Sequence, residues 1–190
     1  FWQCKERYKS QAELLNVVAH YRAMHVPLDG IIQDWQYWSP NPWGSHEFDT
    51  NRYPDPAMLM HNLHTNNVHA LISVWAKFDV GSSNWAELNK AGGLYSNVIS
   101  YVFPPGKGQW YDPFNPVARK IYWNQMSREI FAKGFDGWWL DASEPELSGD
   151  WGEFRNFKTA EGSGAKVFNA YPLEHTRAVY EGQRAENSDK

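Results

Sequence analysis

Apolar positions along this chain follow two periods in turn. Leu14, Val17, Val18 and Tyr21 recur at helical spacing, as do Met58, Leu59 and Leu63, and then Ile121, Met126 and Ile130. Short apolar runs lie between these stretches, at residues 1–4, 28–35, 69–78 and 135–141, and each predicts a strand. Helix starts are marked locally. Ser10-Gln11-Ala12-Glu13 is a capping box, while Asp55-Pro56 and Asn115-Pro116 place a cap ahead of a first-turn proline. Pro27 closes the first helix, and a last helix is expected between residues 169 and 184. Two long excursions, residues 36–53 and 79–113, break the rhythm, the second with a short helix around residues 85–89.

Strands alternating with helices imply parallel pairing through right-handed crossovers. The long loops all follow strands, the asymmetry of a (β/α)8 TIM barrel whose active site is built from its βα loops. About four βα units are present, and a full barrel needs ~250 residues, so residues 1–190 are expected to form a half-barrel, a single incomplete domain. Open sheet edges would then call for the remaining half of the barrel or for self-association. A doubly wound open sheet is the alternative, but no Gly-rich phosphate loop follows the first strand.

Composition narrows the partners. Eleven Trp, ten Tyr and ten Phe are more rings than a core of this size absorbs, so several should line a surface or cleft. A formal net charge of −4 with mixed signs argues against nucleic acid, and no apolar run reaches the ~20 residues of a membrane helix. The chain begins with Phe1 and shows no signal-peptide pattern. One cysteine, Cys4, excludes an internal disulfide and a multi-cysteine metal site. His61, His64 and His69 have ligand-like spacing, but no carboxylate converges on them at the strand-end face, so neither metal nor cofactor is expected. His46, beside Trp43 in the first long loop, is the better pocket histidine, as a hydrogen-bonder at the rim.

The densest chemistry lies in the run from Gly134 to Glu146. An apolar strand there stops on Asp141, and a carboxylate at the C-terminal end of a barrel strand is a candidate for catalysis; the plainer reading is a cap on the next turn. Alternation puts Trp139 and Asp141 on one face and Trp138 and Leu140 on the other. An acid beside an indole suits a sugar, whose apolar face stacks on a ring.

Several segments, taken in order, resemble the catalytic barrel of glycoside hydrolase family 31, and within it the α-xylosidase-like members. They are Phe1-Trp2-Gln3-Cys4 with Arg7-Tyr8-Lys9-Ser10, Gln33-Asp34-Trp35-Gln36-Tyr37-Trp38, and Trp43-Gly44-Ser45-His46-Glu47-Phe48-Asp49. Ile72-Ser73-Val74-Trp75-Ala76-Lys77-Phe78, Tyr111-Asp112-Pro113-Phe114-Asn115-Pro116, Trp138 to Pro145, and Asn169-Ala170-Tyr171-Pro172 complete the set. The resemblance implies a retaining, exo-acting α-glycosidase, an α-xylosidase or α-glucosidase, working through a glycosyl-enzyme intermediate. It implies Asp141 as nucleophile, Asp34 as acceptor for sugar hydroxyls, and Trp75 as a wall of the same pocket. Lys77 reads either as a hydroxyl ligand or as a counter-charge to the acids. Glu144 reads either as an orienting carboxylate or as a loop brace.

The chain departs from the family at the acid/base, an aspartate in a later Trp-Ser-Gly-Asp segment. Ser148-Gly149-Asp150-Trp151 is only superficially similar, with Leu147 where the tryptophan belongs; Asp150 and Glu153 are the weak local substitutes. The expectation is a fragment that is inactive alone. Alternatives are a non-catalytic carbohydrate-binding protein on the same scaffold, or an α-transglycosylase.

Overall fold

In the computed structural model, residues 1–145 and 156–189 are described. They sort into two compact units. One comprises Phe1–Asn41, His46–Val74 and Arg128–Trp139; the other comprises Pro42–Ser45, Trp75–Ser127 and Leu140–Lys190.

The first unit carries a sheet in which β1 (Trp2–Cys4), β2 (Gly30–Gln33), β3 (His69–Val74) and β7 (Gly137–Leu140) are neighbours in that order. β1 runs parallel to β2 with Trp2 opposite Gly30, and β2 runs parallel to β3 with Ile31 opposite Ala70. All four residues of β2 are buried, which is why its sequence is a continuous apolar run and not an alternation. Gly30 is required at its position, because a Cβ there would overlap the Trp2 indole.

α1 (Gln11–Ala23) and α2 (Pro56–Thr65) start where the caps predict. Ser10 Oγ accepts the Glu13 N–H at 3.1 Å, and Asp55 Oδ1 accepts the Met58 N–H at 2.8 Å. The box at α1 differs in one respect: Glu13 accepts from the Lys9 N–H and also meets Lys5. Leu14, Val18, Ile31, Leu59, Leu63, Ile72 and Phe135 are buried within this unit. The Arg22 guanidinium donates to the carbonyls of Leu28 and Asn66, tying together the chain ends that follow α1 and α2.

The expected third strand, residues 69–78, is interrupted. β3 ends at Val74, and after Trp75 and Ala76 the chain enters β4 (Lys77–Asp79), which belongs to another sheet. There β4 and β5 (Ile99–Val102) flank β6 (Pro105–Trp110), both antiparallel to it. The second excursion is therefore a three-stranded sheet with α3 (Ser83–Lys90), not a loop with one helix. Its strands escaped the periodic pattern because Pro105, Gly106 and Gly108 stand where β6 would otherwise show its alternation.

α4 (Pro116–Glu129) is capped by Asn115 Oδ1, which accepts the Val117 N–H at 2.9 Å. The last helix spans Tyr171–Glu186. Tyr111 stacks on Tyr122 of α4 at 4.7 Å with planes 3° apart, and the Tyr111 hydroxyl meets His175 Nδ1 at 2.8 Å. Burial pushes the His175 imidazole down to about 3, so it is neutral at physiological pH.

Candidate active site

In the first unit, Asp34 is the first residue after β2 and is half-buried. Its Oδ1 accepts the Trp35 N–H at 2.8 Å. Burial raises its pKa above the ordinary aspartate value; the Trp35 N–H and Arg7 oppose this, and Glu6 adds to it. Glu6 Oε1 also accepts the Trp35 Nε1–H at 3.0 Å, and the Arg7 guanidinium lies 5.1 Å from the centre of that ring. Arg52 secures the loop behind Asp34, donating to the carbonyls of Gln36, Tyr37 and Ser39. Glu6 and Arg7 were not read from the sequence as site residues. They follow β1, which ends at Cys4 where the sequence placed it, but a charge pair in the loop beyond carries no pattern that marks it as part of a site.

His46 is not at a rim: it is 3% exposed, and burial with the Arg128 charge lowers its pKa to about 3. The expectation of a rim position rested on its place beside Trp43 in a long loop, yet that loop packs inward, with Tyr37, Trp38, Trp43 and Phe48 buried. Trp139 is 44% exposed, and its neighbour Trp138 packs 6.4 Å from Phe131 after α4. The two indoles of β7 thus take opposite faces, as strand alternation requires.

In the second unit, Trp75 leaves the end of β3 and meets Trp43 edge-on at 4.9 Å. The Lys77 ammonium lies 3.4 Å from the centre of the Trp43 ring, 4.2 Å from that of Tyr101 and 5.3 Å from that of Trp75. Lys77 is 5% exposed. Asp79, two residues further along β4, accepts the Trp43 N–H at 2.8 Å and returns its own N–H to the Trp43 carbonyl at 2.9 Å. Asn84 bonds the carbonyls of Gly44 and Ser45. Gly44, at φ +82°, lies too close to Phe78 and the Lys77 carbonyl to carry a Cβ. Tyr101 and Asp79 come from strands the sequence did not reveal; the polar–apolar–polar triplet Lys77-Phe78-Asp79 was the available signal.

Asp141 follows β7 directly and is half-buried. Its Oδ1 accepts the Ala142 N–H at 2.9 Å, and Ala142 sits in the left-handed region at φ 50°. Such strain at a non-glycine residue gathers at functional turns. Glu144 is exposed on the same turn. Asp150 and Glu153 lie outside the described residues. A groove of about 440 Å³ between α4 and the last helix, lined by Trp123, Ala178 and Gly182, involves none of these side chains.

A carboxylate does converge on two of the helix-and-strand histidines, but at the starting ends of the strands. Asp136 Oδ2 meets His64 Nε2 at 2.9 Å and accepts the Ala70 N–H at 2.9 Å, and Asp136 Oδ1 lies 3.5 Å from His69 Nδ1. Among the described residues no cluster of three or more His, Cys, Asp or Glu side chains is arranged to hold a metal ion. No described helix is long and apolar enough to cross a membrane.

Known proteins resemble this chain over nearly its whole extent. The family model described as the glycosyl hydrolases family 31 TIM-barrel domain matches residues 1–190. An α-xylosidase of Saccharolobus solfataricus is 33% identical over 187 residues, covering 97% of this chain and 24% of that protein. The crystal structure of a family 31 α-xylosidase from Xanthomonas citri superposes with a TM-score of 0.92 at 40% identity, covering 98% of this chain and 21% of the other. An α-xylosidase from a soil metagenome, solved with xylose, gives a TM-score of 0.88 at 32% identity, covering 98% of this chain and 28% of the other. This chain thus spans about a quarter of the length of these relatives, and it belongs to the glycosyl hydrolase family 31 TIM-barrel family.

Proposed function

We propose that this chain is the first half of the catalytic barrel of a retaining, exo-acting α-glycosidase, with α-xylosides preferred to α-glucosides. The observation that carries this is Asp141. It is a strand-end carboxylate on a strained turn, in a chain whose relatives of 32–40% identity are α-xylosidases.

On this reading Asp141 attacks the anomeric carbon as the bond to the glycosidic oxygen breaks and the aglycone leaves as an alcohol; water then cleaves the resulting glycosyl ester and frees the sugar and the carboxylate. Asp34 accepts hydrogen bonds from sugar hydroxyls. Trp75 and Trp139 offer apolar faces to the ring, and Glu144 braces the turn behind the nucleophile. His46 serves as a neutral, buried support. Lys77 belongs to the aromatic wall with Trp75. A retaining enzyme needs a second carboxyl group ~5–5.5 Å from the nucleophile to protonate the leaving group and then activate water. The described residues supply no candidate in the family's Trp-Ser-Gly-Asp setting, so residues 1–190 expressed alone should turn over natural substrates poorly.

A fluorinated glycosyl fluoride that traps the intermediate tests the assignment in the full-length polypeptide. Peptide mapping should find the label on Asp141, and a label on any other carboxylate would sink the proposal.

A further inference from the structure

We propose that Lys77 is a positioning residue and not a sugar ligand: its ammonium holds the Trp43 indole, and through Trp43 it sets the angle of Trp75. This rests on the reading above only in taking Trp75 as a wall of the sugar site.

Three rings lie around the cation. Lys77 Nζ is centred 3.4 Å over Trp43, with Tyr101 at 4.2 Å and Trp75 at 5.3 Å, and the residue is almost wholly buried. A desolvated ammonium against an indole face is at the strong end of cation–π attraction. The Trp43 backbone is held as well, its N–H donating to the Asp79 carboxylate and its carbonyl accepting the Asp79 N–H. Lys77 and Asp79 are alternate residues of one strand, so β4 presents both clamps in a single register. Trp43 in turn meets Trp75 edge-on at 4.9 Å, an arrangement in which a ring edge aims at a ring face and fixes the second indole's tilt. Trp75 has a buried Nε1 with no hydrogen-bond partner among the described residues, so no polar anchor orients it there. Ring packing orients it instead, with Trp43 the nearer ring at 4.9 Å and Trp110 the further at 6.4 Å.

The test uses the full-length polypeptide and the variants Lys77→Met, Trp43→Leu and their double, with an aryl α-xyloside as substrate and near-ultraviolet circular dichroism as a readout that needs no activity. Lys77→Met should raise KM about tenfold with kcat within about twofold, and should weaken the indole dichroism. In the Trp43→Leu background the same change should have a clearly smaller effect on both quantities, what remains coming from the direct contacts of Lys77 with Tyr101 and Trp75. Effects that multiply in the double variant, or a Lys77→Met protein with unchanged dichroism and KM, overturn the inference. A second measurement covers the case in which Trp43→Leu does not fold. The KM ratio of Lys77→Met to wild type should be the same for each monodeoxy xyloside. If one deoxy sugar abolishes the ratio, Lys77 is a hydroxyl ligand and the inference is wrong. The dichroism reports on the clamp alone, while trapping at Asp141 reports on the enzymatic reading, so the two fail separately.

Discussion

Arg52 Nε donates to Asp49 Oδ2 at 2.6 Å, and the rest of the same guanidinium closes the loop that follows β2. One side chain therefore pairs with a carboxylate and reaches four backbone carbonyls, those of Lys9, Gln36, Tyr37 and Ser39. Arg52→Met should cost about 2–4 kcal/mol, since it leaves a mostly buried carboxylate without its cation and takes a donor from carbonyls of which only that of Tyr37 also accepts the Asp49 N–H. Denaturant melts of the full-length polypeptide check this, and a loss under 0.5 kcal/mol, the scale of an exposed ion pair, would contradict it.

The pH dependence of that pair has a definite sign. Arg52 holds the Asp49 pKa below the ordinary aspartate value, against a smaller opposing effect of burial. A depressed carboxylate contributes stability above its unfolded pKa and loses it as pH falls through the folded one. The gap in stability between wild type and Arg52→Met should therefore be full at neutral pH and should narrow in acid. Melts across pH read it directly, and a gap that widens in acid would reverse the assignment.

Asp34 behaves in the opposite sense, because burial raises it. If its ionised form binds sugar, the acid limb of kcat/KM lies above the ordinary aspartate range. Glu6→Gln should move that limb down by removing a like charge, and Arg7→Met should move it up by removing an opposite one. Asp34→Asn should lower kcat/KM by about 1.5–3 kcal/mol, roughly 10- to 150-fold, the worth of a charged hydrogen bond. An unshifted limb in both neighbours' variants would show that Asp34 is not the group being read.

Asp141→Ala should abolish turnover of an α-xyloside, by about 10⁴-fold or more, the scale of losing a covalent nucleophile. Added azide, a small external nucleophile, should restore part of the rate with inverted product. Near-wild-type kinetics in this variant would leave Asp141 as a turn cap.

Gly182 lies in the last helix where a Cβ would come within 2.2–2.7 Å of Trp123 atoms Cγ, Cδ2 and Cδ1. Those atoms are near the root of the indole, so they cannot swing aside. Alanine's better helix propensity returns about 1 kcal/mol, but overpacking costs about 1–3 kcal/mol, and the clash is at the severe end. Gly182→Ala should be destabilised, measured as a lower thermal midpoint; an unchanged or raised midpoint would mean that the helices separate freely.

How far the chain could be read on its own differs by element. Helix starts were legible because Ser10, Asp55 and Asn115 act on N–H groups two or three residues away, and such local bonds leave a mark in the sequence. The parallel strands were legible as buried apolar runs between those helices, and the strand-end positions of Asp34 and Asp141 followed from them. The three-stranded sheet was not legible. Its pairing of Lys77 with Trp110 joins residues far apart in the chain, and the local pairing of Ile99 with Gly108 was hidden because neither strand carries a clean alternation. His46 was misjudged for a related reason: burial is a property of what packs around a loop, and nearby residues do not encode it. Lys77 shows the division most clearly. Its sequence neighbours marked it as a charge near a candidate sugar site, but only the tertiary structure brings Trp43 and Tyr101 around its ammonium, because those two rings come from stretches of the chain separate from the segment that carries Trp75 and Lys77.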